Sequence, residues 1–158
     1  MKKILIISDT HGDISKLNDI LMKHKDINYM IHAGDTWMIR NYQINTLDLD
    51  FIGVRGNVDF DFYDSHDETF QLFDKRFFLT HGHKYNVKSS INNLYYKALE
   101  EKADIVIFGH THIPVTSEQD DLLIINPGSL SRPRRKSKGS YGILILDDGR
   151  IKYNLYYI

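Results

Sequence analysis

Seven side chains able to bind a metal ion stand in five clusters spread along the whole chain. They are Asp9 and His11 in Ser8-Asp9-Thr10-His11-Gly12, Asp35 in His32-Ala33-Gly34-Asp35, Asn57 in Gly56-Asn57-Val58-Asp59, His81 in Thr80-His81-Gly82-His83, and His110 and His112 in Gly109-His110-Thr111-His112. Each cluster joins a ligand-type residue to a glycine or a sharp polar turn at the end of a short apolar run, where a strand would hand over to a loop. Such loops at one edge of a sheet could bring their side chains to a common point. Aspartate is a hard oxygen ligand and imidazole suits Mn, Fe, Co, Ni and Zn, so a sulfur-free mixture of the two favours a transition metal over calcium or magnesium. One carboxylate can place an oxygen on each of two ions roughly 3.5–4 Å apart, and Asp35, the lone acid in the middle of the set, is the natural bridge. Two ions so held would make a hydroxide available near neutral pH and polarise phosphoryl oxygens. That is the chemistry of phosphate-ester hydrolysis, and it requires no side-chain nucleophile.

Positioning these residues takes strands that end together. Residues 4–8 form a continuous β-prone run, as expected for a strand buried on both faces. Asp13 is placed to cap a helix from Ile14, with Ile14, Leu17, Ile20 and Leu21 on one stripe. Strands are expected at 29–32 and 51–54, with a less regular helical segment at about 38–46 between them. Residues 69–73 and 76–80 flank Asp74-Lys75 as a tight hairpin. A second helix is expected over about 88–102, with Ile91, Leu94, Tyr95, Ala98 and Leu99 facing inward, and 105–108 is another buried strand. The remainder reads as four antiparallel strands, 115–118, 122–125, 141–146 and 150–156, joined in pairs by polar turns. This is too much sheet for one layer, and two stacked sheets flanked by helices accommodate it.

Composition bounds the function classes. At 158 residues, one domain spanning 1–158 is expected. A net charge of -1 provides no global field to recruit nucleic acid or an anionic membrane. With no cysteine, disulfides and thiolate zinc sites are excluded. The apolar runs are too short to span a bilayer and the N-terminal one too short for a signal peptide, so a cytoplasmic protein is the simplest expectation.

In their order along the chain, Asp-x-His, Gly-Asp, Gly-Asn-x-Asp, His-Gly-His and Gly-His-Thr-His resemble the motifs of the calcineurin-like metallophosphoesterases. The short length and Asn126-Pro127-Gly128-Ser129 resemble the family's small prokaryotic phosphodiesterase branch, which is also related to a retromer scaffold subunit. The resemblance implies an α/β fold, a four-layer αββα sandwich of two mixed β-sheets flanked by helices. It implies two divalent metal ions, manganese first, with nickel, iron or zinc as alternatives. Asp9, His11 and His112 would hold one ion, Asn57, His81 and His110 the other, with Asp35 shared. The expected reaction is hydrolysis of a phosphate diester by a metal-bridging hydroxide. The alternatives are a non-catalytic metal-binding scaffold, or a phosphomonoesterase or protein phosphatase of the same fold. One position departs from many phosphatases of the family: Val58 stands where a histidine reaches the phosphate and the leaving group. Valine can neither donate a hydrogen bond nor carry a proton, which disfavours alkyl monoesters and leaves water or Asp59 as the proton source. Arg55 is a further candidate for phosphate contact.

Taken singly, Asp9 reads as a cap, Asp35 and Asn57 as turn residues, and the histidines as satisfied loop residues. Seven independent placements that reproduce one donor set are far harder to account for. His32 and His83 read as supports for the donors rather than donors themselves. Thr111 is a spacer, and Trp37 and Met38 line the cleft or pack. Residues 132–138 carry five cations and read first as a solvated loop, with attraction of an anionic substrate as the second reading. A small phosphodiester is the expected substrate, with no membrane and no requirement for nucleic acid. The aromatic strand 153–157 offers an edge through which a homo-oligomer could form.

Overall fold

The computed structural model describes residues 1–13, 15–36, 49–60 and 65–158. Its elements are, in chain order, β1 (Lys2–Ile7), α1 (Ser15–Lys23), β2 (Tyr29–His32), β3 (Asp50–Gly53), β4 (Asp67–Leu72), β5 (Lys75–Thr80), a 3-10 turn at His83–Tyr85, α2 (Asn92–Glu100), β6 (Ile105–Ile107), β7 (Val115–Gln119), β8 (Leu122–Asn126), β9 (Ser140–Asp147) and β10 (Arg150–Tyr157). They form two five-stranded sheets, ordered β10-β9-β1-β2-β3 and β4-β5-β6-β8-β7.

Side-chain alternation along each central strand sorts the residues into layers. In β1, Ile4 and Ile6 face the other sheet, while Leu5 and Ile7 pack under Leu17 and Ile20 of α1. In β5 and β6, Phe77, Leu79, Ile105 and Ile107 join Ile4 and Ile6 between the sheets, while Phe78 and Val106 pack under Leu94 and Ala98 of α2. These runs are apolar throughout because both faces are covered. The result is the expected order of layers: helix, sheet, sheet, helix.

Both sheets are mixed. In the first, β1, β2 and β3 are parallel and β9 runs antiparallel to β1. In the second, β5, β6 and β8 are parallel, with β4 and β7 antiparallel at the edges. The carboxyl ends of the parallel strands are where an open α/β sheet leaves a crevice for ligands. Residues 9, 35 and 57 follow β1, β2 and β3; residues 81 and 110 follow β5 and β6, and Asn126 ends β8.

Four expectations change in detail. The last four strands are not one antiparallel set: β7–β8 closes the second sheet and β9–β10 the first, and β8 runs parallel to β6. The β4–β5 turn is Phe73-Asp74 rather than Asp74-Lys75, since Leu72 pairs with Lys75. This register stacks Phe70 on Phe77 at 5.1 Å, at the cost of a positive φ at Phe73. The second helix is Asn92–Glu100, shorter than 88–102. Residues ahead of it are used in the 3-10 turn and in local bonding, with the Asn92 amide donating to Ser90 Oγ, as serines near a helix start tend to arrange. It closes at Lys102, which takes a left-handed conformation while the Ala103 amide donates to the Ala98 carbonyl. Leu99, expected inside, is 41% exposed.

At the first helix, Asp13 Oδ1 accepts from the Ser15 amide at 3.1 Å, in keeping with a capping role. Ile14, the helical segment at 38–46, and Trp37 and Met38 lie outside the described residues. Strand β10 is an edge, yet Tyr153 packs into the inter-sheet core and Tyr156 stacks on Tyr141. Among the described residues no helix is long and apolar enough to cross a membrane.

The two helix leucines give a direct check on this layering. Leu94→Ala should destabilise by about 2–5 kcal/mol and Leu99→Ala by less than about 1 kcal/mol in urea unfolding. Equal losses would contradict the burial described.

Candidate metal centre

The loops that leave the parallel strands turn sharply, and they do so at the expected donors. Asp9, His11, Asp35, His110 and His112 all adopt positive φ, between 47° and 67°. Left-handed backbone is uncommon for residues other than glycine and disfavoured by roughly 1–2 kcal/mol. Its recurrence at five of seven sites requires strong local restraint. Backbone hydrogen bonds between loops supply part of it: the Asp9 amide donates to the Gly34 carbonyl and the His11 amide to the Asp35 carbonyl, both at 3.0 Å. Close approach supplies the rest. A Cβ on Gly109 would come within 2.8 Å of Asp9 Oδ2, so only glycine lets the β6 loop sit against the β1 loop.

All seven expected residues come together, in two overlapping groups. Asp9, His11, Asp35 and His112 offer ligand atoms within 4.8 Å of one another and could hold a metal ion. Beside them, His81 Nε2 lies 3.2 Å from Asn57 Oδ1, 3.2 Å from His110 Nδ1 and 3.4 Å from Asp35 Oδ2. Asp35 Oδ2 thus faces His81 and, at 3.9 Å, His11 Nε2, while Oδ1 accepts from the Val58 amide at 3.2 Å.

The chemistry of these atoms suits a cation. His81 Nδ1–H donates to the Ala33 carbonyl at 2.7 Å and His112 Nδ1–H to the Arg132 carbonyl at 2.6 Å. A carbonyl only accepts, so each neutral ring turns the lone pair of Nε2 into the cluster. His112 Nε2 then meets Asp9 Oδ1 at 3.1 Å and His11 Nε2 at 3.4 Å. Asp9 Oδ1 is fully buried with no hydrogen bond among the described residues. Acceptors facing one another this closely repel unless a proton or a metal ion stands between them. The titration behaviour agrees. Burial opposes the Asp35 carboxylate, but the His81 contact and the Val58 amide outweigh it and hold Asp35 at about 2. Burial pulls His81 down, yet Asp35 and Asp9 raise it overall. Burial, with the charge of His81, brings His110 to about 4.

A model of the calcineurin-like phosphoesterase superfamily domain matches residues 1–149. The chain belongs to that superfamily. It is 35% identical over 156 residues to the probable metallophosphoesterase YsnB of Bacillus subtilis (strain 168), covering 97% of this chain and 89% of that one. It is 32% identical over 146 residues to the phosphodiesterase MJ0936 of Methanocaldococcus jannaschii, covering 80% and 82%. A crystal structure of a predicted phosphoesterase from Streptococcus pneumoniae TIGR4 superposes with a TM-score of 0.86 at 26% identity, covering 99% of this chain and 89% of that one. The chain is therefore a metallophosphoesterase, and its Asp and His cluster is a fitting place for the metal on which this family depends.

Around the donors of this phosphoesterase, other residues hold the loops. Asn126 Nδ2 donates to the Gly109 carbonyl and to Thr111 Oγ1, both at 3.0 Å, and Asn126 Oδ1 accepts from the Gly128 amide. Ser129 Oγ donates to the Asp9 carbonyl at 2.8 Å. The Asn-Pro-Gly-Ser element thus ties the loop after β6 to the loop after β1, across the two sheets. Thr111 is more than a spacer, since it also donates to the Ile113 carbonyl. His32 is buried and fully engaged: the Gly34 amide donates to Nδ1 at 3.1 Å, which leaves Nε2–H for Thr10 Oγ1 at 3.0 Å. His83 packs its ring 5.4 Å from that of His81.

Asp59 braces the turn before Asn57, accepting from the Gly56 amide at 2.7 Å and from Thr36 Oγ1 at 3.2 Å. Arg55 Nε meets His66 Nε2 at 3.0 Å. Neither lines the cleft over the donors, which is formed by five of the seven donors together with Val58, Lys88 and residues 132–134. The sequence reading passed over Lys88, which sits in an ordinary polar stretch with no motif to mark it.

His32 makes the support testable through pH. Burial, only partly offset by Asp59 and Asp9, lowers it from 6.5 to about 4. As pH falls, the unfolded chain takes up this proton first, so the stabilisation is complete above about 6.5 and is lost progressively between 6.5 and 4. Metal-free wild type should lose about 2 kcal/mol more than His32→Gln between pH 7 and pH 5 in urea unfolding. Equal losses would contradict a buried neutral His32.

Proposed function

We propose that the protein hydrolyses phosphate diesters at two divalent metal ions, manganese first among them, with Asp35 shared between the two. The observation that carries this reading is the pair of donor groups meeting at Asp35 Oδ2, which faces His11 on one side and His81 on the other. Asp9, His11 and His112 would hold one ion, and Asn57, His81 and His110 the other. When bound, the ions supply an activated water and offset charge on the phosphoryl oxygens. The protein's part is to fix the donors. Ser8 Oγ and the His110 amide both donate to Asp9 Oδ2, at 2.6 and 3.0 Å, leaving Oδ1 for the metal. The Ala33 and Arg132 carbonyls select the ring tautomers that expose Nε2 of His81 and His112.

Two features favour a diester over an alkyl monoester. Val58 lines the cleft with an apolar side chain where a proton donor would assist a poor leaving group. Asp59, the neighbouring acid, has both oxygens engaged by Gly56 and Thr36. A phosphodiesterase name is carried by the Methanocaldococcus relative, which supports the same substrate class. A purely structural scaffold has no use for Asp9, Asp35 and His81 buried together, an arrangement that is costly without a cation.

Manganese-supplemented protein should cleave bis(p-nitrophenyl) phosphate in preference to simple alkyl monoesters, and Asp35→Ala should lower that turnover by on the order of 10²–10³-fold. Val58→His should move the preference toward monoesters. A wild type that already prefers alkyl monoesters would overturn the diester reading.

A further inference from the structure

Diester cleavage by the donor cluster leaves three cations in the same cleft without a role. Lys88, Arg132 and Arg134 line a cavity of about 420 Å³ together with the donors. They stand in the wall of that cleft beside His11, His110 and His112. The ion pairs of lysine among the described residues are Lys3–Asp26, Lys75–Asp74 and Lys97 with Glu100 and Glu101. Lys88, Arg132 and Arg134 form no ion pair among the described residues.

The arginines are also held in place. The Arg132 carbonyl accepts from His112 Nδ1–H, the Arg132 amide donates to Ser129 Oγ at 2.8 Å, and the Arg134 amide donates to the His112 carbonyl at 3.3 Å. The backbone of both residues is therefore fastened to a donor histidine, and that of Arg132 also to the serine that secures Asp9. The cations of 132–138 are exposed, as expected of a solvated loop, and two of them, Arg132 and Arg134, also line the wall of the cleft.

Charge then constrains the substrate. A simple diester carries one negative charge. Two divalent ions less the charges of Asp9, Asp35 and a bound hydroxide already balance it, and the three further cations leave a positive surplus. Guanidinium groups match phosphate oxygens in bidentate fashion, and cations lining a cleft focus a field on an anionic ligand. A cavity of this size suits a small molecule rather than a macromolecular surface.

We propose that Lys88, Arg132 and Arg134 form a second anion subsite, and that the preferred substrate is a small phosphodiester bearing an additional phosphate group. This rests on the diesterase reading above. The matched probes are thymidine 5′-(p-nitrophenyl phosphate) and the same ester carrying a 3′-phosphate, hydrolysed by the manganese-supplemented protein. The 3′-phosphorylated ester should show kcat/KM about tenfold higher or more at low salt, with the advantage shrinking as salt is raised. The K88A/R132A/R134A variant should bring the ratio toward one, while R132K/R134K, which keeps the charge but loses the bidentate fork, should fall between it and the wild type.

Calorimetry supplies a readout independent of turnover. Thymidine 3′,5′-bisphosphate should bind the wild type about tenfold more tightly than thymidine 5′-monophosphate, and the triple variant should bind the two alike. Cleavage of both esters with a ratio near one, together with equal binding of the two nucleotides, overturns the subsite and leaves the diesterase standing. Cleavage of neither ester overturns the diesterase reading, and the binding difference then decides the subsite alone.

Discussion

A buried carboxylate oxygen facing the lone pair of an imidazole nitrogen sets the terms for this molecule. Asp9 Oδ1 and His112 Nε2 meet at 3.1 Å, and the proton that would reconcile them is committed on the far side of the ring to the Arg132 carbonyl. His11 adds a second nitrogen at 3.4 Å from His112. Such an arrangement is unfavourable for the protein alone and favourable around a cation. The features described near the site hold these groups in this relation against their mutual repulsion.

The fold meets that requirement by ending its parallel strands at one edge. Three strands in each sheet run parallel, and the turns beyond them carry the donors, five of the seven in left-handed backbone. The inter-sheet core built from Ile4, Ile6, Phe77, Leu79, Ile105 and Ile107 fixes the distance between the two sets of turns. Asn126 and Ser129 then tie the turns to one another across the sheets. Strain in the backbone of the donors is thus offset by a rigid interior and a network of loop hydrogen bonds, a common arrangement for sites that must be ready before the ligand arrives.

Much of this was legible in the chain. Apolar runs such as 4–8 and 105–108 mark strands because both of their faces are covered, and the donors announce themselves by standing beside glycines at the ends of such runs. Convergence of Asp9, His11, Asp35, Asn57, His81, His110 and His112 followed from motif order. Register and helix ends did not. The Phe73-Asp74 turn depends on Phe70 stacking against Phe77, and the late start of α2 depends on how the chain leaves His81, both of which are settled by tertiary contacts. The tautomers of His81 and His112 depend on carbonyls from Ala33 and Arg132, far away in sequence. Lys88 could not be singled out, because its place in the cleft comes from the fold rather than from any local pattern.

The central claim is that the donors form two adjoining cation sites sharing Asp35. Crystals of the protein soaked in manganese and measured at wavelengths on either side of the manganese absorption edge test it most directly. The account predicts two anomalous peaks, one among Asp9, His11 and His112 and one among Asn57, His81 and His110, with Asp35 in contact with both. A single peak at full occupancy, or none within the cluster, would contradict it.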